Sequence, residues 1–505
     1  MGIVKRQSIK YTILSVIGSL IGALSILYVY PLSLENYGLS QAIYSFSVFL
    51  IPFLGFNSSA VVINNYDPQS ENPNKVLIYG FCFASIFATL FIVLYYTIFR
   101  QYIYLLGLVG LNPKVFANND IYILAIGICM LFIGVLNNHS NNLRRAVVPN
   151  LLNNVGLKLF LPVLILGVFY NIIDKSFIPI GLLIFYFIIL IILFFYVKSL
   201  GGFPSKWSDI SFDFLKDRKI NHYLFIAGFT GIASILATKI DIIAISGIKN
   251  LSDVGKYSLP YFMASLIEIP MGGIASISGP LIALHLKNND FTELNILLKK
   301  ASNSLFLAGV VIFVLLYAIF PDLALLSNKP EAFQNGLIIF AVIGIAKLID
   351  MVTSLNTHAI SYSKYYSYNL YFVAITAIIN LYFTFHLTRK YGIIGTSLSI
   401  LISLFVFNLC KIILLKFKMN LSPFSKSTLL IIGIFLFQMA LIHFLQFNFT
   451  PIINIVLKGT IIGFTFLILL KFIKPNDDID DLLFGQEGIL NNGLNIAKLK
   501  KMIGF

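Results

Sequence analysis

The sequence predicts an all-α integral membrane protein of fourteen transmembrane helices, built as two similarly oriented six-helix bundles followed by two further helices. Three observations predict it. Of 505 residues, 58% are hydrophobic and only 11% are charged, and the mean hydropathy is +0.89; an ordinary soluble domain carries about a quarter charged residues. The apolar residues come in unbroken runs near the roughly 20 residues a helix needs to cross the hydrocarbon, not in the alternation of barrel strands. The chain also repeats itself. Asn137, His139, Arg145 and Asn150 are matched 219 positions later by Asn356, His358, Lys364 and Asn369. Leu34 and Gly38 answer to Leu251 and Gly255, and Val93, Leu94, Tyr96, Ile98 and Phe99 answer to Val314, Leu315, Tyr317, Ile319 and Phe320.

Taken in order, spans expected near 9–30, 38–62, 76–99, 121–138, 148–170 and 177–197 form the first bundle, residues 1–197. Residues 198–221 hold the only Trp, Trp207, and a polar-apolar mixture from Asp209 to Lys219, the pattern of an amphipathic linker at the membrane surface. Spans near 223–247, 257–284, 302–320, 333–356, 367–386 and 392–414 form the second bundle, residues 222–418. Helices thirteen and fourteen, near 428–446 and 452–473 within 419–475, have no partner in the repeat. A tail, 476–505, runs from acidic Asp477 to Asp481 into Lys498, Lys500 and Lys501. An even number of crossings per copy makes the copies parallel, related by a pseudo-twofold axis along the membrane normal, with a substrate site expected where the halves meet.

The first span follows Lys5, Arg6 and Lys10, is too long for a signal-peptide core and lacks a small-residue cleavage site, so it is expected to stay as a helix. With the N-terminus inside, cytoplasmic segments hold about three times as many Lys and Arg as periplasmic ones, and both termini are cytoplasmic. Much of the formal net charge of +15 is therefore topological. It flanks apolar spans and makes no basic face for nucleic acid. Cys82, Cys129 and Cys410 fall inside spans and read as small packing residues, with no disulfide and no metal site. The loops are short and carry no Walker motif, zinc spacing or nucleophile elbow. An enzyme is not expected, nor a cofactor beyond a coupling proton or sodium ion.

Ionisable groups inside the hydrocarbon are costly and usually face a bundle interior or an aqueous cavity. In span five, Asn150, Asn154 and Lys158 recur at i, i+4 and i+8 on one helical face, with Pro162 beyond. In span seven, Thr230, Ser234, Thr238 and Asp241 share a face, while Lys239 turns away from Asp241. In span ten, Lys347, Asp350, Ser354 and Thr357 line one face, and Lys347 with Asp350 at i, i+3 suits an intrahelical ion pair. Their repeat counterparts, Ile128 and Leu131, are apolar, so the copies keep a scaffold and differ in charge. Glu268, beside Pro270, Gly272, Gly273 and Pro280, sits where span eight is expected to break and is the first candidate for ion coupling, with Asp241 and Asp350 behind it. Arg145, Lys364, His139 and His358 occupy matching cytoplasmic ends, where they either guide an anionic headgroup to a cavity entrance or anchor helices at the lipid surface. Ser15, Gly18, Gly22 and Ser25 form a small-residue seam on span one.

The stretch Leu34, Glu35, Asn36, Tyr37, Gly38 resembles the loop after the first helix of Wzx-type flippases of the polysaccharide transport family. So does the stretch from Asp241 through Leu251, Ser252, Asp253, Val254, Gly255, Lys256, Tyr257 and Ser258. That family belongs to the multidrug, oligosaccharidyl-lipid and polysaccharide (MOP) exporter superfamily, which also holds the MATE transporters, and the likeness in layout covers essentially the whole chain. The resemblance implies a V-shaped exporter of the bacterial inner membrane that turns undecaprenyl-pyrophosphate-linked oligosaccharide to the periplasmic leaflet by alternating access, with ion coupling. Partners would be the polyprenyl-pyrophosphate-linked glycan, the bilayer and polysaccharide polymerase or assembly proteins. Lys158, Lys239 and Lys347 would then meet pyrophosphate, and Asn150 and Asn154 the sugar hydroxyls. One departure stands out: Arg144 and Arg145 lie in a loop, so anion binding would rest on lysines without the bidentate guanidinium fork. Two alternatives stay open. A MATE-type drug or cation antiporter needs carboxylates, and Asp241, Glu268 and Asp350 face Lys158, Lys239, Lys347 and Lys458, a balance that favours anionic cargo. A lipid II flippase, carrying the peptidoglycan precursor, shares the span number and a basic cavity, and charge alone does not separate it. A glycan polymerase would need catalytic groups on an external loop.

Overall fold

The computed structural model describes residues 17–67, 69–70, 72–102, 112–145, 147–204 and 215–473. Among the described residues every regular element is helical. In chain order the principal helices are α1 (Ile17–Tyr28), α2 (Leu34–Gly55), α3 (Lys75–Tyr102), α4 (Asp120–Asn142), α5 (Val147–Phe169), α6 (Phe177–Ser199) and α7 (Arg218–Ile248). Then come α8 (Leu251–Ser265), α9 (Ile269–Lys287), α10 (Phe291–Leu326), α11 (Gly336–Ser361), α12 (Tyr368–Met419), α13 (Lys426–Phe444) and α14 (Pro451–Ile473). Among the described residues ten helices are long and apolar enough to cross a bilayer, or twelve if each bent pair is one span. The chain is a multi-pass membrane protein. Lys5, Arg6, Lys10, Ser15, Trp207 and the tail beyond residue 473 lie outside the described residues.

Breaks fall where the sequence weakens a helix. The chain from α8 to α9 passes through a 3-10 turn, Leu266–Glu268, with Pro270 at the start of α9 where its missing N–H costs nothing. A second bend of 48° separates Leu251–Ala275 from Ser278–Lys287, just before Pro280. α7 bends by the same angle between Leu236 and Thr238. The 52 residues of α12 are two helices run together across Gly392, whose φ of 63° and ψ of −144° are open only to glycine. That is the junction expected between spans eleven and twelve.

The chain divides into two compact units. One comprises Met1–Ser258 with Leu381–Gly392, the other Leu259–Asn380 with Ile393–Phe505. In the first unit α2 packs against α3, α4 and α7. Phe56, at the end of α2, gathers the rings of Phe87, Phe225 and Phe229. α2 and α8 meet at a close crossing. A Cβ on Gly38 would collide with the carbonyl oxygen of Leu251, and one on Gly255 with that of Leu34. These are the residues the repeat pairs with each other, and their contact is reciprocal, as between elements related by a twofold. α4 ends at Asn142 and α11 at Ser361, the same spacing of 219.

In the second unit α10 is the central helix, packed by α9, α11, α13 and α14. Phe313 stacks on Phe340 across α10 and α11. The last two helices are tied to α10 by polar contacts. Asn303 donates to Ser425 at 2.8 Å and accepts from Thr428 at 2.8 Å, and Gln438 on α13 donates to Thr465 on α14 at 3.0 Å.

Candidate substrate and coupling site

The second unit assembles a cluster of ionisable side chains from three stretches that are remote in sequence. Glu268 ends the 3-10 turn before α9, Lys347 and Asp350 stand one turn apart on α11, and Lys411 rises from the last part of α12. The Lys347 ammonium lies 2.9 Å from Glu268 Oε2. It does not pair with Asp350 three residues along, as its spacing suggested. Asp350 instead faces Lys411 at 3.7 Å and accepts a hydrogen bond from Asn408 Nδ2 at 3.1 Å. Asn408 in turn accepts from Thr353 at 2.6 Å. Lys411 donates to Thr357 Oγ1 at 3.2 Å and lies 4.3 Å from the centre of the Phe407 ring, a cation-π distance.

The physical reason for the repairing is distance and dielectric. A surface i, i+3 pair contributes a few tenths of a kcal/mol, whereas charges brought together in a low-dielectric interior attract far more strongly. Packing α11 against α9 offers Lys347 a carboxylate on another helix, and Asp350 is released to serve Lys411. The side chain of Lys411 is 1% exposed and those of Lys347 and Asp350 each 16%, so all three are held within the helical unit.

The first unit holds other candidates. Asp241 is 3% exposed and accepts from the Tyr257 hydroxyl at 3.0 Å; its Oδ1 is buried with no hydrogen-bond donor. The Lys239 ammonium lies 5.7 Å from the centre of the Tyr44 ring and within electrostatic reach of Asp241. In α5 the residues Leu151–Gly156 form a π-helical turn, a widening often found at functional positions. It lies between Asn150, which is buried, and Lys158, which is half-buried. The side chain of Asn154, within that turn, lies outside the described residues.

The four residues at the helix ends differ in setting. Arg145 and Lys364 are exposed, and Lys364 lies 5.3 Å from the Tyr365 ring centre. His358 stacks on Tyr362. His139 is fully buried, its Nε2 2.8 Å from the carbonyl oxygen of Gly202. Beside it Asn138 and Asn142 donate to the carbonyls of Ser59 and Val62, so this end of α4 is laced to neighbouring backbone.

Two features escaped sequence reasoning. Lys411 sits three residues before the expected end of span twelve, where a lysine ordinarily extends toward water, and only the packing of α12 on α11 shows that it is enclosed. Asp322 falls just beyond the expected end of span nine, yet it is 3% exposed, lies 2.6 Å from Lys458 of α14 and accepts from Asn454 at 2.9 Å. Among the described residues no group of three or more His, Cys, Asp and Glu is placed to hold a metal.

No protein-family model matches the sequence, and no curated protein sequence matches it. Solved structures do. A lipid II flippase MurJ, in an inward closed conformation, matches with a TM-score of 0.69 at 15% identity, covering 92% of this chain and 98% of that one. An inward-facing multidrug resistance MATE family transporter of the MOP superfamily matches with a TM-score of 0.60 at 14% identity, over 81% of this chain and 94% of that one. A MOP superfamily transporter from Pyrococcus furiosus matches with a TM-score of 0.55 at 16% identity, over 83% and 95%. At these identities the likeness is one of fold, and the chain has the fold shared by flippases and transporters of the MOP superfamily.

Proposed function

We propose that the protein is a flippase of the bacterial inner membrane that carries undecaprenyl-pyrophosphate-linked oligosaccharide from the cytoplasmic to the periplasmic leaflet by alternating access. The observation that carries this reading is the cluster of Glu268, Lys347, Asp350 and Lys411, set in a fold that a lipid II flippase shares over 92% of the chain. Lysines in a low-dielectric helical unit suit the diphosphate of such a cargo, and the paired carboxylates suit ion coupling. Lys158 and Lys239 of the first unit would add positive charge, and Asn150 and Asn154 would meet sugar hydroxyls. In this reading the spans number fourteen, in two parallel bundles of six and a final pair. Both termini are cytoplasmic, with Arg145, Lys364 and His358 at the cytoplasmic entrance.

The oligosaccharide assignment rests on the stretches Leu34 to Gly38 and Asp241 to Ser258. A second reading, lipid II as cargo, is favoured by the likeness to MurJ. A MATE-type cation antiporter would want carboxylates without lysine partners; Glu268 and Asp350 each have one, which leaves Asp241, bonded by Tyr257, as the carboxylate that reading would rest on. The test is translocation in proteoliposomes, scored by the access of an added glycosidase to lipid-linked oligosaccharide supplied on the inner leaflet. Wild-type protein should expose the oligosaccharide, and Lys347→Met should slow exposure about tenfold or more, the equivalent of at least about 1.4 kcal/mol, with membrane insertion unchanged. Movement of lipid II alone would select the second reading, and movement of neither would overturn both.

A further inference from the structure

The cluster in the second unit carries an inference about what accompanies the cargo, and it rests on the reading of the cargo as a polyprenyl diphosphate. Its formal charge is zero, since Glu268 and Asp350 balance Lys347 and Lys411. Neither lysine is idle: Lys347 is 2.9 Å from Glu268 and Lys411 is 3.7 Å from Asp350. A diphosphate esterified at both ends brings two negative charges of its own. It can gain both ammonium groups only by taking them from the carboxylates, which then stand unpaired in a medium where an uncompensated charge costs several kcal/mol. A carboxyl in that position neutralises by taking up a proton. The other groups facing the four are named by the packing. Tyr261 lies within electrostatic reach of Lys347, His358 within that of Lys411, and Asn408 and Thr357 bond Asp350 and Lys411.

The Lys411 pair shows how the exchange would proceed. At 3.7 Å it attracts without a hydrogen bond, and Asp350 has Asn408 to hold it when the lysine leaves. We propose that cargo binding is a counter-ion exchange at this cluster: the diphosphate takes Lys347 and Lys411, and Glu268 and Asp350 are protonated in their place. Two negative charges enter with the diphosphate and two protons enter from water, so the site stays neutral and no covalent bond changes apart from the two new carboxyl O–H bonds. Protons then move in the same direction as the cargo, not in exchange for it. When the cargo leaves, the lysines return to the carboxylates and the protons are released.

The test is a proton count. Titration calorimetry of the full-length protein in detergent, in paired buffers of different ionisation enthalpy near neutral pH, gives the protons taken up per ligand bound. The probe is a farnesyl-diphospho-N-acetylglucosamine, whose two phosphates are both esterified and keep a constant charge in that range. Wild-type protein should take up about two protons per molecule bound, and Glu268→Gln about one. The double variant E268Q/K347Q removes one pair while keeping the net charge, and it gives the same reading of about one where the single variant fails to fold. Saturable binding without proton uptake, or uptake unchanged by the loss of Glu268, overturns the exchange and leaves the flippase reading standing. Absence of saturable binding by the wild type overturns that reading and the exchange with it.

Discussion

Two charge clusters in the same unit are built differently, and the difference separates a fastening from a candidate site. Lys458 and Asp322 join α14 to α10 at 2.6 Å. Asn454 takes the other carboxylate oxygen, so each charge has close partners in one compact knot. The cluster on α11 is strung out. Glu268, Lys347, Asp350 and Lys411 alternate in sign along a line of contacts of 2.9 and 3.7 Å, with polar neighbours able to hold a member whose ionic partner moves. A closed knot has one good arrangement, whereas an alternating chain has several. The first suits an anchor of the terminal helix pair, and the second suits the site proposed above.

Substitution of one lysine in each setting sharpens the contrast. Lys458→Met strands Asp322 in the interior and should cost the most, about 3 to 5 kcal/mol, seen as loss of monodisperse protein and a lower melting temperature in detergent. Lys411→Met leaves Asp350 with its bond from Asn408, and a cost of about 1 to 3 kcal/mol is expected, together with loss of translocation. Lys175→Ala removes a pair with Glu35 whose side chains are 49% and 61% exposed, and its effect should be below about 1 kcal/mol. Equal destabilisation by Lys411→Met and Lys458→Met, measured by the same melting experiment, would erase the distinction drawn between the clusters.

Much of the scaffold was legible in the sequence because hydrophobic length and repetition are local properties. The expected span at 121–138 lies within α4, Asp120–Asn142, and that at 177–197 within α6, Phe177–Ser199. The break at Glu268 was legible from Pro270, since a proline lacks the donor a continuing helix needs. The choice of Lys347, Asp350 and Glu268 as residues of interest needed only their position in apolar runs, and the structure brings these three into one cluster. Their pairing was not legible. Which carboxylate serves which ammonium depends on how α9, α11 and α12 face one another, and spacing along one helix is silent on that. Lys411 and Asp322 were missed for a related reason. Each lies near the end of an apolar run, where exposure is the ordinary expectation and only neighbours supply the enclosure.

The crossing of Gly38 over Leu251 and of Gly255 over Leu34 bears on which changes of side chain such a fold can absorb. Main chain rests there on main chain, so the grip is indifferent to most of the side chains that the two copies carry elsewhere. Lys347 and Asp350 can stand where the matched positions carry Ile128 and Leu131, and the crossing still closes. Two glycines thus mark a spot where the sequence has little latitude, since any side chain there would part the two main chains.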